Sequence, residues 1–100
     1  TWDSFLTLPR LPLANERIRA IRAHGSAGGV IPLAMIGLHR WGLRCRVMAL
    51  IGDDEFSDRV VRDLRQEGID TNALVRKTGV QTRSATVLLD NRNGSRCLIM

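Results

Sequence analysis

The chain is poor in aromatic side chains, with no tyrosine, two tryptophans and two phenylalanines, and it has only two cysteines, three prolines and one lysine. Trp2, Phe5, Trp41 and Phe56 are too scattered to form the aromatic-plus-basic surface that stacks single-stranded nucleic acid. Cys45 and Cys97 are widely spaced with no metal-ligand pattern around them, which excludes a zinc module or a disulfide framework. Reduced thiols and a cytoplasmic location are the expectation. No apolar run approaches the ~18 residues of a bilayer-spanning helix. The longest, Val30 to Leu38, is broken by Pro32 and Gly37. No basic segment followed by an apolar one stands at the amino end, so neither a secretory leader nor a membrane partner is expected. Repeats and low-complexity tracts are also missing.

Negative charge is the minority sign. Ten acids stand against fifteen basic residues, fourteen of them arginine, for a net charge of +5 and a pI near 10.9. Such a balance invites a nucleic-acid partner. The arginines are spread along the chain, however, and Arg17, Arg19 and Arg22 are one of the denser groups. A solvated arginine-rich surface is the better account. One hundred residues suit a single domain or a piece of a larger one, and the 44% hydrophobic content is that of a globular chain.

What is present is organised around His24-Gly25-Ser26-Ala27-Gly28-Gly29-Val30-Ile31-Pro32-Leu33, continuing to Arg40-Trp41-Gly42. Gly28 and Gly29 let the backbone turn sharply and let a ligand approach it closely. Pro32 fits the first turn of a helix, and Gly42 fits the position just past its end. The unpaired N–H groups at the start of that helix would face whatever sits over the diglycine. Taken alone, a Gly-Gly more often marks a tight strand-to-helix turn than a binding site.

Phe5, Leu6, Leu8 and Leu11 predict an extended amino-terminal stretch, and Pro9 and Pro12 make it an edge or an exit from a sheet. Residues 16–23 partly alternate and predict a short, half-exposed strand. A helix over about 31–41 would set Ile31, Met35, Leu38 and Trp41 on its apolar face, with Ile36 beside them. Val47-Met48-Ala49-Leu50-Ile51 is a continuous apolar run of the kind found in a buried parallel strand. Asp53 and Asp54 are candidate caps for a second helix with Phe56, Val60, Val61 and Leu64 on one face and Gly68 at its end. Glu55–Arg59 and Asp58–Arg62 are expected as pairs on its outer side. A weak strand near Leu74-Val75 follows. Ala85–Leu89 and Arg96–Met100 then predict an antiparallel hairpin across Asp90-Asn91-Arg92-Asn93-Gly94. These elements predict an α/β core over about 24–75 and a small separate sheet from about 4–23 and 82–100. A strand that runs into Met100 predicts that the chain is the N-terminal part of a longer polypeptide.

Asp3, Pro12, Gly28-Gly29, Arg40-Trp41-Gly42, Ile51-Gly52-Asp53-Asp54-Glu55-Phe56, Gly68-Ile69-Asp70, Thr82 and Gly94-Ser95-Arg96 resemble, in order and spacing, the ribokinase-like (PfkB) carbohydrate kinases. The resemblance implies a Rossmann-like α/β fold, a parallel sheet with flanking helices, plus a small β-sheet lid over a sugar. It implies transfer of the ATP γ-phosphoryl group to a sugar, polyol or nucleoside hydroxyl, with Mg²⁺. Asp3 falls where the family hydrogen-bonds sugar hydroxyls. Gly28 and Gly29 fall on the diglycine whose backbone approaches the sugar, and Ala85 and Val87 on a lid strand that closes over it. Arg96 falls where related kinases carry a basic residue near the transferring phosphate, although a solvated strand residue is an equal reading.

Two departures stand out. Leu33 replaces a sugar-binding asparagine and cannot hydrogen-bond a hydroxyl, and Ser57 stands where a glycine often follows Phe56. The family's Asp-Thr-x-Gly-Ala-Gly-Asp and Asn-x-x-Glu motifs, which carry the catalytic base, the anion hole and magnesium, are not in these hundred residues. No catalytic residue and no metal ligand is therefore expected here, and ATP and Mg²⁺ are expected to bind mainly elsewhere in the polypeptide. Expected partners are a small sugar and, through the lid, a second copy of the chain. Leu33 also motivates a rival expectation, a catalytically silent metabolite-binding relative.

Overall fold

The computed structural model describes residues 1–100. Eight elements follow one another: β1 (Trp2–Leu8), β2 (Arg22–Ala27), α1 (Val30–Arg40), β3 (Arg46–Gly52), α2 (Glu55–Gln66), β4 (Asp70–Lys77), β5 (Ser84–Asp90) and β6 (Arg96–Ile99). They form a four-stranded sheet in the order β2-β1-β5-β6 and a two-stranded sheet of β3 and β4. β1 pairs antiparallel with β2 and parallel with β5, β5 and β6 form an antiparallel hairpin, and β3 and β4 run parallel. The α/β class, the parallel pair and the small separate sheet agree with the sequence reading.

The amino-terminal stretch is a central strand of its sheet, not an edge. β1 stops at Leu8, and Pro9 and Pro12 lie beyond it, so the prolines end the strand without interrupting its ladder. The strand expected at 16–23 lies at 22–27, because pairing with β1 selects Arg22–Ala27 regardless of side-chain alternation. The weak strand near Leu74-Val75 spans eight residues, Asp70–Lys77.

Both helices end on Schellman turns. The N–H groups of Gly42 and Leu43 donate to His39 and Leu38, and those of Gly68 and Ile69 donate to Arg65 and Leu64. Of the two acids offered as caps, Asp54 caps α2 and closes a capping box with Ser57. The Glu55–Arg59 pair forms. Asp58 instead pairs with Arg76 of β4 at 2.7 Å, while Arg62 lies 3.9 Å from Asp63.

One core joins the two sheets. Trp2 and Ala27 from the first, Val47 from β3, Val60 and Leu64 from α2, and Ile69 pack as one buried cluster. Met35 and Ile36 of α1 lie against it. The expected face of α1 is only partly realised, since Ile31 and Leu38 are exposed and Trp41, 84% exposed, caps the helix end in solvent. β3 is likewise buried on one side only. Val47 and Ile51 are covered, while Met48 and Leu50 are 83% and 56% exposed.

The turn between β5 and β6 is locked by a buried carboxylate. Asp90, 3% exposed, accepts hydrogen bonds from the Arg92 side chain, the Arg92 N–H and the Leu11 N–H. The Arg92 guanidinium holds this carboxyl well below the usual carboxylate range. Beside it, hydrogen bonds from Arg10 and from the Leu13 backbone pull Glu16 down to about 2.

Candidate functional site

Consecutive residues of an extended strand face opposite ways. Trp2 enters the core, so Asp3 projects from the other face of the four-stranded sheet. The register sets Asp3 beside Ser26 of β2 and Ala85 of β5. Immediately after β2 the chain passes under the Asp3 carboxylate. A Cβ built on Gly28 would lie 2.0 Å from Asp3 Oδ2 and 2.4 Å from Cγ, so any side chain at 28 would occupy the carboxylate's place. The Gly28 N–H donates to the Thr1 carbonyl at 3.0 Å, which holds this crossing together.

Gly29 then takes φ 101°, a conformation open to glycine, and starts α1 with no side-chain cap. No acidic residue lies in the first turn of the helix itself. Asp3, Gly29 and Val30 line one side of a cleft of about 740 Å³; Gln81, Thr82, Arg83, Ser84 and Ala85 form its base, and Leu98 and Met100 its apolar outer wall. This size suits a small organic ligand. Within the chain the Asp3 carboxylate has neither a hydrogen-bond donor nor an ion-pair partner.

Asp3, Gly28, Gly29 and Ala85 therefore come together. Val87 shares the face of Asp3 but sits one pleat row further along, buried beside Phe5, which stacks on His24 at 4.8 Å. Arg96 lies opposite Leu89, two rows from Ala85, or roughly 13 Å along the strand, and does not line the cleft. Arg83 is the cation that does. Leu33 lines a different groove, between α1 and α2, with Arg40, Asp63 and Glu67. The segment Gln81–Ser84 was not expected in the site. Its only sequence signal is Thr82, which sits just before the lid strand and is buried despite its hydroxyl.

The profile of the pfkB family carbohydrate kinases matches residues 6–100. The chain belongs to this family. A ribokinase of Dictyostelium discoideum is 22% identical over 99 residues, which are 99% of this chain and 31% of the relative. The crystal structure of a candidate ribokinase from Agrobacterium tumefaciens is 28% identical with a TM-score of 0.89, over 98% of this chain and 32% of that one. The ribokinase of Arabidopsis thaliana, solved with ribose and ATP, shares the fold with a TM-score of 0.81 at 20% identity, over 98% of this chain and 32% of that one. The pfkB chain thus spans about a third of the length of the relatives it matches, and the ribokinase fold is shown over that third.

Proposed function

We propose that the whole protein transfers the γ-phosphoryl group of ATP to a hydroxyl of a sugar, polyol or nucleoside, and that this chain supplies part of the sugar site and its lid. The carrying observation is the unpartnered Asp3 carboxylate seated on Gly28 in a cleft of about 740 Å³. An ionised carboxylate only accepts hydrogen bonds and has room for two donors at once, which suits neighbouring hydroxyls. Gly29 and the bare start of α1 add backbone N–H donors, and Ala85 closes one side. Arg83, the cation lining the cleft, is our candidate for the phosphate-side role that the resemblance implied for Arg96. ATP and Mg²⁺ are assigned to the remainder of the polypeptide. The reading includes a cytoplasmic enzyme that pairs with a second copy through the exposed strand β6.

The test uses the whole protein, a panel of pentoses, hexoses and nucleosides, and ATP. Asp3→Ala should weaken sugar affinity by ~1.5–3 kcal/mol for each charge-assisted bond lost, with KM for ATP unchanged. Asp3→Asn should retain part of the binding, since one oxygen still accepts. Unchanged sugar affinity alongside a lower melting temperature would remove Asp3 from the site. Sugar binding without turnover in the wild type would favour the silent metabolite-binding relative.

A further inference from the structure

We propose that Asp54 is a positioning residue for the cleft: its carboxylate, shared between the start of α2 and Thr82, fixes the segment that carries β5 alongside Asp3. The inference rests on the sugar-site reading above and adds a residue that does not touch the cleft. One Asp54 oxygen accepts the Ser57 N–H at 2.8 Å and caps α2. The other accepts the Thr82 N–H at 2.7 Å. The Thr82 hydroxyl in turn accepts the Gly52 N–H at 3.0 Å. The end of β3 and the start of α2 thus grip one buried residue from two sides. The grip passes directly to the site. The Arg83 carbonyl accepts the Trp2 N–H at 2.9 Å, Ser84 lies opposite Trp2, and Ala85 lies opposite Asp3.

Two further observations favour this role over simple capping. A Cβ on Gly52 would lie 2.2 Å from the Val80 carbonyl oxygen and 2.8 Å from the Thr82 nitrogen, so strand end and segment touch backbone to backbone. Capping alone needs one acceptor, which serine or threonine also supplies. A carboxylate gives each of two N–H donors from separate segments its own oxygen, whereas a hydroxyl has only one oxygen to share between them. The donated bonds, from Thr82 first and then Ser57, also hold the Asp54 carboxyl below its ordinary range.

Asp54→Ser keeps a side chain that caps the helix and removes the acceptor for Thr82. In the whole protein it should speed amide exchange at residues 82–85 about tenfold while α2 amides hold, and raise KM for the sugar about tenfold with KM for ATP unchanged. Ser57→Ala is the control. It breaks the capping box without touching Thr82, and should lower the melting temperature while leaving exchange at 82–85 and sugar KM at wild-type values. Unchanged exchange at 82–85 in Asp54→Ser would overturn the proposal, as would an equal rise throughout α2 or a matching rise in KM for ATP. A wild type that phosphorylates nothing in the panel would defeat the sugar-kinase reading alone, and the exchange comparison then decides by itself whether Asp54 holds this segment.

Discussion

The four-stranded sheet and the β3–β4 pair solve the same problem to different degrees. In the first, β1–β2 and β5–β6 are antiparallel pairs close in sequence, joined by one parallel β1–β5 pairing, and the β5–β6 turn is tied down by Asp90 and Arg92. In the second, α2 crosses over between parallel strands and covers one face, leaving Met48, Leu50 and Val75 exposed on the other. Antiparallel pairing is satisfied by local turns, whereas a parallel sheet is covered on both faces only by further crossovers. Over these hundred residues the four-stranded sheet is the more fully paired, and the parallel pair is bare on one side. The cleft lies beside the better-finished region, but its base comes from the segment that joins the two.

The sharpest test of whether these regions are one unit is Leu64→Ala. Leu64 is 1% exposed and packs in the cluster shared by Trp2 and Val47. A loss of about 2–5 kcal/mol is expected, read by denaturant titration. Amide protection should fall in β1 and β3 together; β1 staying protected while β3 opens would split the regions. Gly28→Ala should cost roughly 1–3 kcal/mol, because the new methyl displaces the Asp3 carboxylate. In an Asp3→Ala background the same change should cost much less, and additive losses in the double-mutant cycle would contradict the contact.

Acid should separate the regions next. Asp90 and Glu16 have depressed folded-state pKa values, so their contribution is present above the ordinary carboxylate range and is lost as pH falls through those values, to about 2 for Glu16. Exchange at the start of α2 and in the β5–β6 turn should both rise on acidification, the turn over a range that reaches lower pH because Asp90 is held further down than Asp54, and Asp90→Asn should flatten the response of the turn. The smallest effect is expected for Glu55→Gln, which removes an exposed helix pair worth about 0.3–0.5 kcal/mol and should leave the lid unaffected by melting or exchange.

Legibility in the sequence followed the same division. α2 could be bounded from Asp54 and Gly68 because cap and terminator are local chemistry, and the hairpin from its turn residues. β2 could not, since Arg22-Ala23-His24-Gly25-Ser26-Ala27 has no apolar alternation and is held by backbone pairing to β1. The central place of β1 depends on β5, some eighty residues away, and no local pattern encodes that pairing. In the site, the diglycine was legible from its own residues and Asp3 from the family resemblance, whereas their contact needed the fold. Gln81–Ser84 escaped because its role comes from where Asp54 and Gly52 hold it. Arg96 was placed by motif order, and the strand register moved it away from the cleft.

Trp2 and Asp3 are neighbours on one strand, the indole fixed in the core and the carboxylate in the cleft. On a plate that swings about a pinned margin, points near the axis travel least. Any swing of the lid would pivot close to Trp2. Asp3 and Gly28 would keep their spacing throughout, while the β5–β6 turn, farthest along the strands from Trp2, would sweep a wider arc. The carboxylate proposed to meet hydroxyls would thus stand next to the pin, with the β5–β6 turn farthest from it.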